Sequence, residues 1–178
     1  RIRIIAGRVI DPASDVDSVQ DVFVAAGKIV SLGQAPEGFL ADREIDANGQ
    51  VVCPGLIDLC ARLREPGQEH KATIASETLA AASGGVTTLC CPPDTNPVID
   101  TPAVTEFIRL RAEAAGKARI VTLGALTQGL GGEQLSEMAA LRKAGCVGIS
   151  NAMQPLLNPL VQRRALEYAA THELTVFL

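Results

Sequence analysis

Asp58, Cys60, Arg62 and Arg64 occupy alternate positions in the run Leu56-Ile57-Asp58-Leu59-Cys60-Ala61-Arg62-Leu63-Arg64, just after Cys53-Pro54-Gly55. Alternate side chains of a β-strand share a face, so a strand here aims a carboxylate, a thiol and two guanidiniums the same way. A carboxylate or a thiolate can ligate a metal. A guanidinium is always protonated and has no lone pair to give, so it binds anions instead. Charges collected on the inner face of a sheet need partners or a ligand, which makes this run the first candidate site.

The surrounding pattern says what positions it. Residues 1–53 read as short strands with turn chemistry between them. Asp21–Val24 and Lys28–Leu32 flank Gly27 as one hairpin, and Arg43–Asp46 and Gln50–Val52 flank Asn48-Gly49 as a second. This predicts a small β-unit, one sheet or part of a β-sandwich. From residue 54 onward strand and helix alternate. Strands are expected at Leu56–Cys60, Val86–Cys91, Arg119–Gly124, Val147–Ser150 and Leu174–Leu178. Helices are expected over 70–83, 101–115 with Pro102 in the first turn, 133–144 and 159–171. Such alternation with short connections implies parallel strands with crossover helices. The expected fold is α/β: a partial (β/α)8 TIM-type barrel over 54–178, apparently cut in its fifth strand, with a doubly wound sheet as the alternative. In a barrel the chemistry lies at the carboxyl ends of the strands.

Composition narrows the function classes. The 178 residues are 47% hydrophobic and 20% charged, with a net charge of -4, which is globular and neither disordered nor membrane-spanning. An acidic balance with one Tyr, four Phe and no Trp argues against nucleic acid as a partner. Five cysteines at irregular spacing, Cys53, Cys60, Cys90, Cys91 and Cys146, form neither a disulfide framework nor a Cys-x-x-Cys zinc site, and read as reduced thiols in apolar settings. With no secretory signal at the start, the expected compartment is the cytoplasm. His70 and His172 read as surface or capping residues, and Gly84-Gly85 and Gly129-x-Gly131-Gly132 as tight turns, since neither matches a phosphate-binding fingerprint.

Pro54-Gly55-Leu56-Ile57-Asp58 followed by Leu63-Arg64-Glu65-Pro66-Gly67-Gln68-Glu69-His70-Lys71 resembles dihydroorotase of the amidohydrolase superfamily. Ala82–Thr88, Thr95–Asp100, Gly124–Leu130, Ala144–Ser150 and Arg164–Ala169 agree in order along the chain. Allantoinases and hydantoinases share parts of the pattern. The resemblance implies zinc held by a His-x-His after the strand aspartate, but those positions are Cys60 and Arg62 here. It implies a metal-binding carboxylate after the fourth barrel strand, where this chain has Ser150-Asn151-Ala152. It implies an asparagine that helps hold the substrate carboxylate, where this chain has Asp94. Arg64, which in the family pairs with that carboxylate, is retained.

With those departures the resemblance points to the non-catalytic dihydroorotase-like homologues that assemble with bacterial aspartate transcarbamoylase. It implies a structural partner in an oligomeric complex of pyrimidine biosynthesis, with no zinc and no intact catalytic residue. Asp58, Cys60, Arg62, Arg64, Asp94 and Asn151 are then vestigial positions. Arg62 is expected to plug the old cavity as an internal ion pair with Asp58 or Asp94. Arg64 either binds a carboxylate or is occupied by Glu65 or Asp94. The alternative is an active cyclic amidohydrolase of dihydroorotase, allantoinase or hydantoinase type with an altered metal site.

Overall fold

A computed structural model describes residues 1–178, which divide into two compact units, Arg1–Pro54 and Gly55–Leu178. The first unit is one five-stranded sheet. Its strands are β1 (Ile2–Asp11), β2 (Val16–Ala25), β3 (Lys28–Leu32), β4 (Arg43–Asp46) and β5 (Val51–Val52), with β1 pairing antiparallel to β2 and β2 antiparallel to β3. Phe23, Val22, Val9 and Ala47 are buried, and Phe39 stands edge-on to Phe23 at 5.2 Å. The hairpin around Gly27 forms as expected. The one around Asn48-Gly49 does not, because β4 and β5 both run parallel to β1 and do not pair with each other. Ala47 N–H donates to Ile5 and Arg8 N–H to Gln50, so the Asn-Gly turn is a short excursion within one line of backbone along β1. A turn dipeptide specifies local φ angles, but which strand lies alongside is decided by the available ladder.

Asp21 organises the irregular part of this sheet. The β1–β2 register shifts between Ile4 and Gly7, and Ala6 takes a left-handed φ of 54°. Asp21 accepts the Ala6 N–H at 2.9 Å and two donors of the Arg3 guanidinium at 2.7 and 2.8 Å. The bulged backbone is thereby satisfied by a side chain in place of the ladder.

The second unit is a five-stranded sheet with all neighbours parallel, in the order β10-β9-β8-β7-β6. Its strands are β6 (Leu56–Asp58), β7 (Val86–Cys91), β8 (Arg119–Ala125), β9 (Gly148–Ser150) and β10 (Thr175–Phe177). Helices α1 (Ile74–Ser83), α2 (Pro102–Ala115), α3 (Met138–Lys143) and α4 (Pro159–Thr171) make the crossovers. Sequential strand order with a helix between neighbours is the curled half of a (β/α)8 barrel. Leu89, Cys91, Ile99 and Ile108 form one core, and Leu126, Met138, Ile149 and Ala165 a second. Gly148 lets β9 approach β10, since a Cβ there would meet the Thr175 carbonyl at 2.7 Å. No helix is long and apolar enough to cross a membrane.

Several elements are shorter than their patterns predict, and helices α1 and α3 and strand β6 bear on the site. Helix α1 begins at Ile74 and not at His70, because Thr73 and Ser76 close a reciprocal capping box. Helix α3 begins at Met138 and not at Glu133. The backbone of 128–136 is committed to the preceding loop, with Gln128 N–H bonded to Gln134 and Ser136 N–H to Leu126. Strand β6 ends at Asp58, two residues early.

The first unit carries a pH signature. The Ala6 N–H, then the Arg3 guanidinium, hold the Asp21 carboxyl below the usual aspartate range. A depressed carboxyl contributes stability that is fully present above the unfolded value, about 3.9, and is lost as pH falls through the lower folded value. Protection of the β1–β2 amides against hydrogen exchange, relative to intrinsic exchange at the same pH, is expected to fall below about pH 4. Asp21→Asn should exchange faster at neutral pH and lose most of that acid dependence.

Candidate functional site

The chain leaves β6 through a bend set by Asp58, whose Oδ1 accepts the Cys60 N–H at 2.9 Å, while Ala61 N–H donates to the Cys90 carbonyl at 2.9 Å. Residues 59–73 then run as a loop in which Arg64 adopts a left-handed φ of 65°. The strand stops at Asp58, so Asp58, Cys60, Arg62 and Arg64 are not held together by strand alternation, although all four line one open cleft. Asp58 and Cys60 are exposed and line an open cleft with Glu77, Ala80 and Ala81 of α1, in which Arg62 and Arg64 also take part. Arg62 and Arg64 further line a small cavity of about 70 Å³ together with Gln68, Asp94 and Thr95.

Arg62 Nε donates to Asp94 Oδ2 at 2.7 Å. The hydrogen bond first, and Coulomb attraction second, push the guanidinium pKa up against a small burial cost. Of the two partners the sequence left open for Arg62, Asp94 is the one it meets; Asp58 is spent on the Cys60 amide. The pair is not sealed in the interior, since its side chains keep 36% and 28% of their exposure. Arg64 has no carboxylate partner: Glu65 and Asp94 are both engaged elsewhere, and its one side-chain contact is Gln68 Oε1 at 3.4 Å, which also accepts from Lys71 Nζ at 3.0 Å.

The sequence offered Glu65 as an occupant of Arg64, and its structural role is a different one. Its side chain is only 3% exposed. Oε2 accepts the Ile74 N–H, the first of α1, at 2.7 Å, and Oε1 accepts Nε of Arg111 on α2 at 2.7 Å. The only sequence trace is an acidic residue shortly before a helix start, where the helix dipole favours negative charge. Its pairing with Arg111, 46 residues on, leaves no local signal. Gly67, at φ 102°, lets the loop lie against its neighbour, since a Cβ there would fall 2.4 Å from the Asn96 carbonyl. Asn96 N–H closes the contact on the Pro66 carbonyl at 3.2 Å.

Asn151, 2% exposed, faces neither the cavity nor the cleft. Its Oδ1 accepts the Thr127 hydroxyl at 2.7 Å and its Nδ2 donates to the Gln154 carbonyl at 3.0 Å, which staples the loop after β9 to the loop after β8. His70 lies exposed in the turn before α1, and His172 caps the end of α4 edge-on to Tyr168. Cys53 and Cys60 are exposed, contrary to the expectation of apolar settings, while Cys90, Cys91 and Cys146 are buried. Burial pushes the Cys91 thiol up to about 12, which removes it as a nucleophile at neutral pH.

These residues do not fit a zinc ion. Arg62 has no lone pair to donate, Asp94 is held by Arg62, and Asn151 is turned to Thr127. No three His, Cys, Asp or Glu side chains lie close enough to hold an ion.

Comparison with known proteins bears on the whole chain. A model of the family described as Dihydro-orotase-like matches residues 49–171. A dihydroorotase-like protein of Pseudomonas aeruginosa is 56% identical over 175 residues, 98% of this chain and 41% of that protein. One from Pseudomonas putida is 52% identical over the same span. A dihydroorotase of Geobacter metallireducens is 46% identical over 163 residues, 92% of this chain and 38% of that protein. The chain spans about two fifths of the length of these relatives. Among solved structures, the L-hydantoinase (dihydropyrimidinase) from Arthrobacter aurescens superposes with a TM-score of 0.81 at 21% identity, covering 98% of this chain and 39% of that one. That likeness establishes the fold alone.

Two consequences follow for stability. Glu65→Ala should cost about 2–3 kcal/mol in urea unfolding, because it strips a helix N-terminus and an arginine of one buried acceptor, and Glu65→Gln should cost less. A double-mutant cycle on Arg62 and Asp94 should give a coupling of about 0.2–1 kcal/mol, as for other partly exposed pairs, whereas Arg62 and Asp58 should be additive.

Proposed function

The chain belongs to the dihydroorotase-like family, and from that premise we propose that it is a non-catalytic member acting in pyrimidine biosynthesis as an assembly partner of aspartate transcarbamoylase. The carrying observation is the Arg62–Asp94 ion pair. It puts a fixed positive charge at a position where the family resemblance implies a zinc-binding imidazole, and a carboxylate at the position implied to help hold the substrate carboxylate. Amide hydrolysis with a metal depends on polarising the carbonyl and lowering the pKa of the attacking water. This chain offers a guanidinium, a stapled amide and an exposed thiol in place of the ligands. Cys60 alone is not a metal site. The names of the two Pseudomonas relatives, dihydroorotase-like protein, favour the same reading over that of the less similar dihydroorotase.

A protein that keeps a fold without its chemistry has its surface left to act with. That is the ground for the assembly role, and the resemblance supplies aspartate transcarbamoylase as the partner. The reaction-bearing alternative, a cyclic amidohydrolase with an altered metal site, would need Arg62 displaced from Asp94.

The full-length protein, incubated with zinc and dialysed, is expected to keep less than about a tenth of an equivalent and to leave dihydroorotate unhydrolysed. Affinity-tagged and mixed with aspartate transcarbamoylase of the same organism, it should elute as a complex of fixed stoichiometry. One or two tightly held zinc equivalents with turnover would overturn the non-catalytic half. Separate elution of the two proteins would overturn the assembly half.

A further inference from the structure

We propose that the cavity between α2 and the start of β8 is a binding site for a small oxo acid, which rests its carbonyl oxygen on Thr105 and Thr122 and its carboxylate on Arg119. The site shares no residue with the Arg62–Asp94 cavity or the cleft beside it, and the inference does not depend on the function proposed above.

The cavity holds about 140 Å³, close to the roughly 150 Å³ of an apolar cavity that admits benzene. Exposure gives it a floor and a mouth. Thr105, Ile108 and Thr122 are buried at 3%, 0% and 5%, whereas Arg119, Gly145 and Val147 are exposed. Ile108 and Ile120, part of the core where α2 packs on β8, supply apolar walls, so the body of an occupant leaves water on entering.

The polar groups on the floor set the chemistry. The one hydrogen-bond partner of either hydroxyl is Cys146 Sγ, 3.4 Å from Thr105 Oγ1 and 3.5 Å from Thr122 Oγ1. A thiol is a weak donor and a weak acceptor, so two buried hydroxyls are held loosely with open space above them. A carbonyl oxygen has two lone pairs and takes both protons. The charged end of the occupant stays at the mouth, because burying a carboxylate on hydroxyls alone is costly.

Arg119 is the cation that fits the mouth. It makes no ion pair, while Arg109, the other guanidinium lining the cavity, is held by both Glu106 and Glu113. Lys117 and Lys143, exposed in the chain beside the lining segments and likewise unpaired, offset the charge of the two glutamates. Arg119 and Thr122 stand on one strand, about 10 Å apart along it. That span suits a 4-oxo acid better than a 2-oxo acid, whose two polar groups are adjacent.

The test is saturation-transfer difference NMR on the full-length protein, titrated at neutral pH with levulinate (4-oxopentanoate), pentanoate and 2-pentanone. Levulinate should bind about threefold to tenfold more tightly than either probe that lacks one of its two polar groups. Thr122→Val should remove the advantage of levulinate over pentanoate and leave pentanoate unchanged. Arg119→Met should weaken both acids about threefold to tenfold, spare 2-pentanone, and abolish the loss of affinity with added salt. Arg64→Met, in the other cavity, should change nothing. Levulinate binding no tighter than pentanoate would overturn the proposal, and so would binding that is lost with Arg64 or undiminished without Arg119. If Thr122→Val does not fold, the three probes on wild type and on Arg119→Met, at the exposed rim, decide the question.

Discussion

A carboxylate with almost no access to water must find its donors inside the protein, and at Glu65 that requirement ties three elements together. One oxygen takes the first N–H of α1, the other takes Arg111 from α2, and the residue itself belongs to the loop between β6 and α1. The loop cannot shift without stranding a buried charge, which costs far more than an ordinary hydrogen bond. Arg62 and Arg64 sit immediately upstream, so their positions relative to Asp94 follow from this anchor. The cavity, the ion pair and the unpaired guanidinium are consequences of where Glu65 is held.

Around that anchor the charge lining the cavity is mostly positive. Zinc chemistry requires neutral imidazoles, thiolates and carboxylates converging on a point. Here the converging groups are two guanidiniums and the carboxylate that partly neutralises them, with Asn151 turned away to staple two loops. Each replacement is locally sensible: Arg62 has an anion, Asn151 has a donor and an acceptor, and Asp58 terminates its strand by accepting an amide. The result is a set of mostly paired polar groups beside a barrel-type sheet, with the Arg64 guanidinium left without a carboxylate. Proteins of this family that share the fold need not share its chemistry.

The α/β periodicity was readable because crossover helices and buried parallel strands impose different repeats on the chain. The strand Val86–Cys91 and the helices Pro102–Ala115 and Pro159–Thr171 stand where apolar spacing, Pro in the first turn and Gly116 after the last place them. Failures cluster where backbone groups find long-range partners. Asn48-Gly49 reads as a hairpin, yet both flanking segments pair with β1. The run 133–137 has helical composition, but its amides and carbonyls are bonded to the loop after β8. At the candidate site, the strand ends at Asp58, whose side chain accepts the Cys60 N–H, so Cys60 to Arg64 reach the cleft from a loop and not from the strand they were expected to continue.

By itself the sequence determined the residue chemistry: which positions can give a lone pair, which carry a permanent charge, and which segments have helix or strand periodicity. An arginine at position 62 removes a ligand wherever its side chain lies, since its protonation is intrinsic. Only the tertiary structure decided the pairings. That Arg62 meets Asp94 and not Asp58, that Arg64 is left without a carboxylate, and that Glu65 finds Arg111 are outcomes of loop geometry across 32 and 46 residues. Local propensity falls off within a turn of chain, whereas ion pairs and buried hydrogen bonds are set by whichever groups the packed sheet and helices bring within about 3 Å of one another.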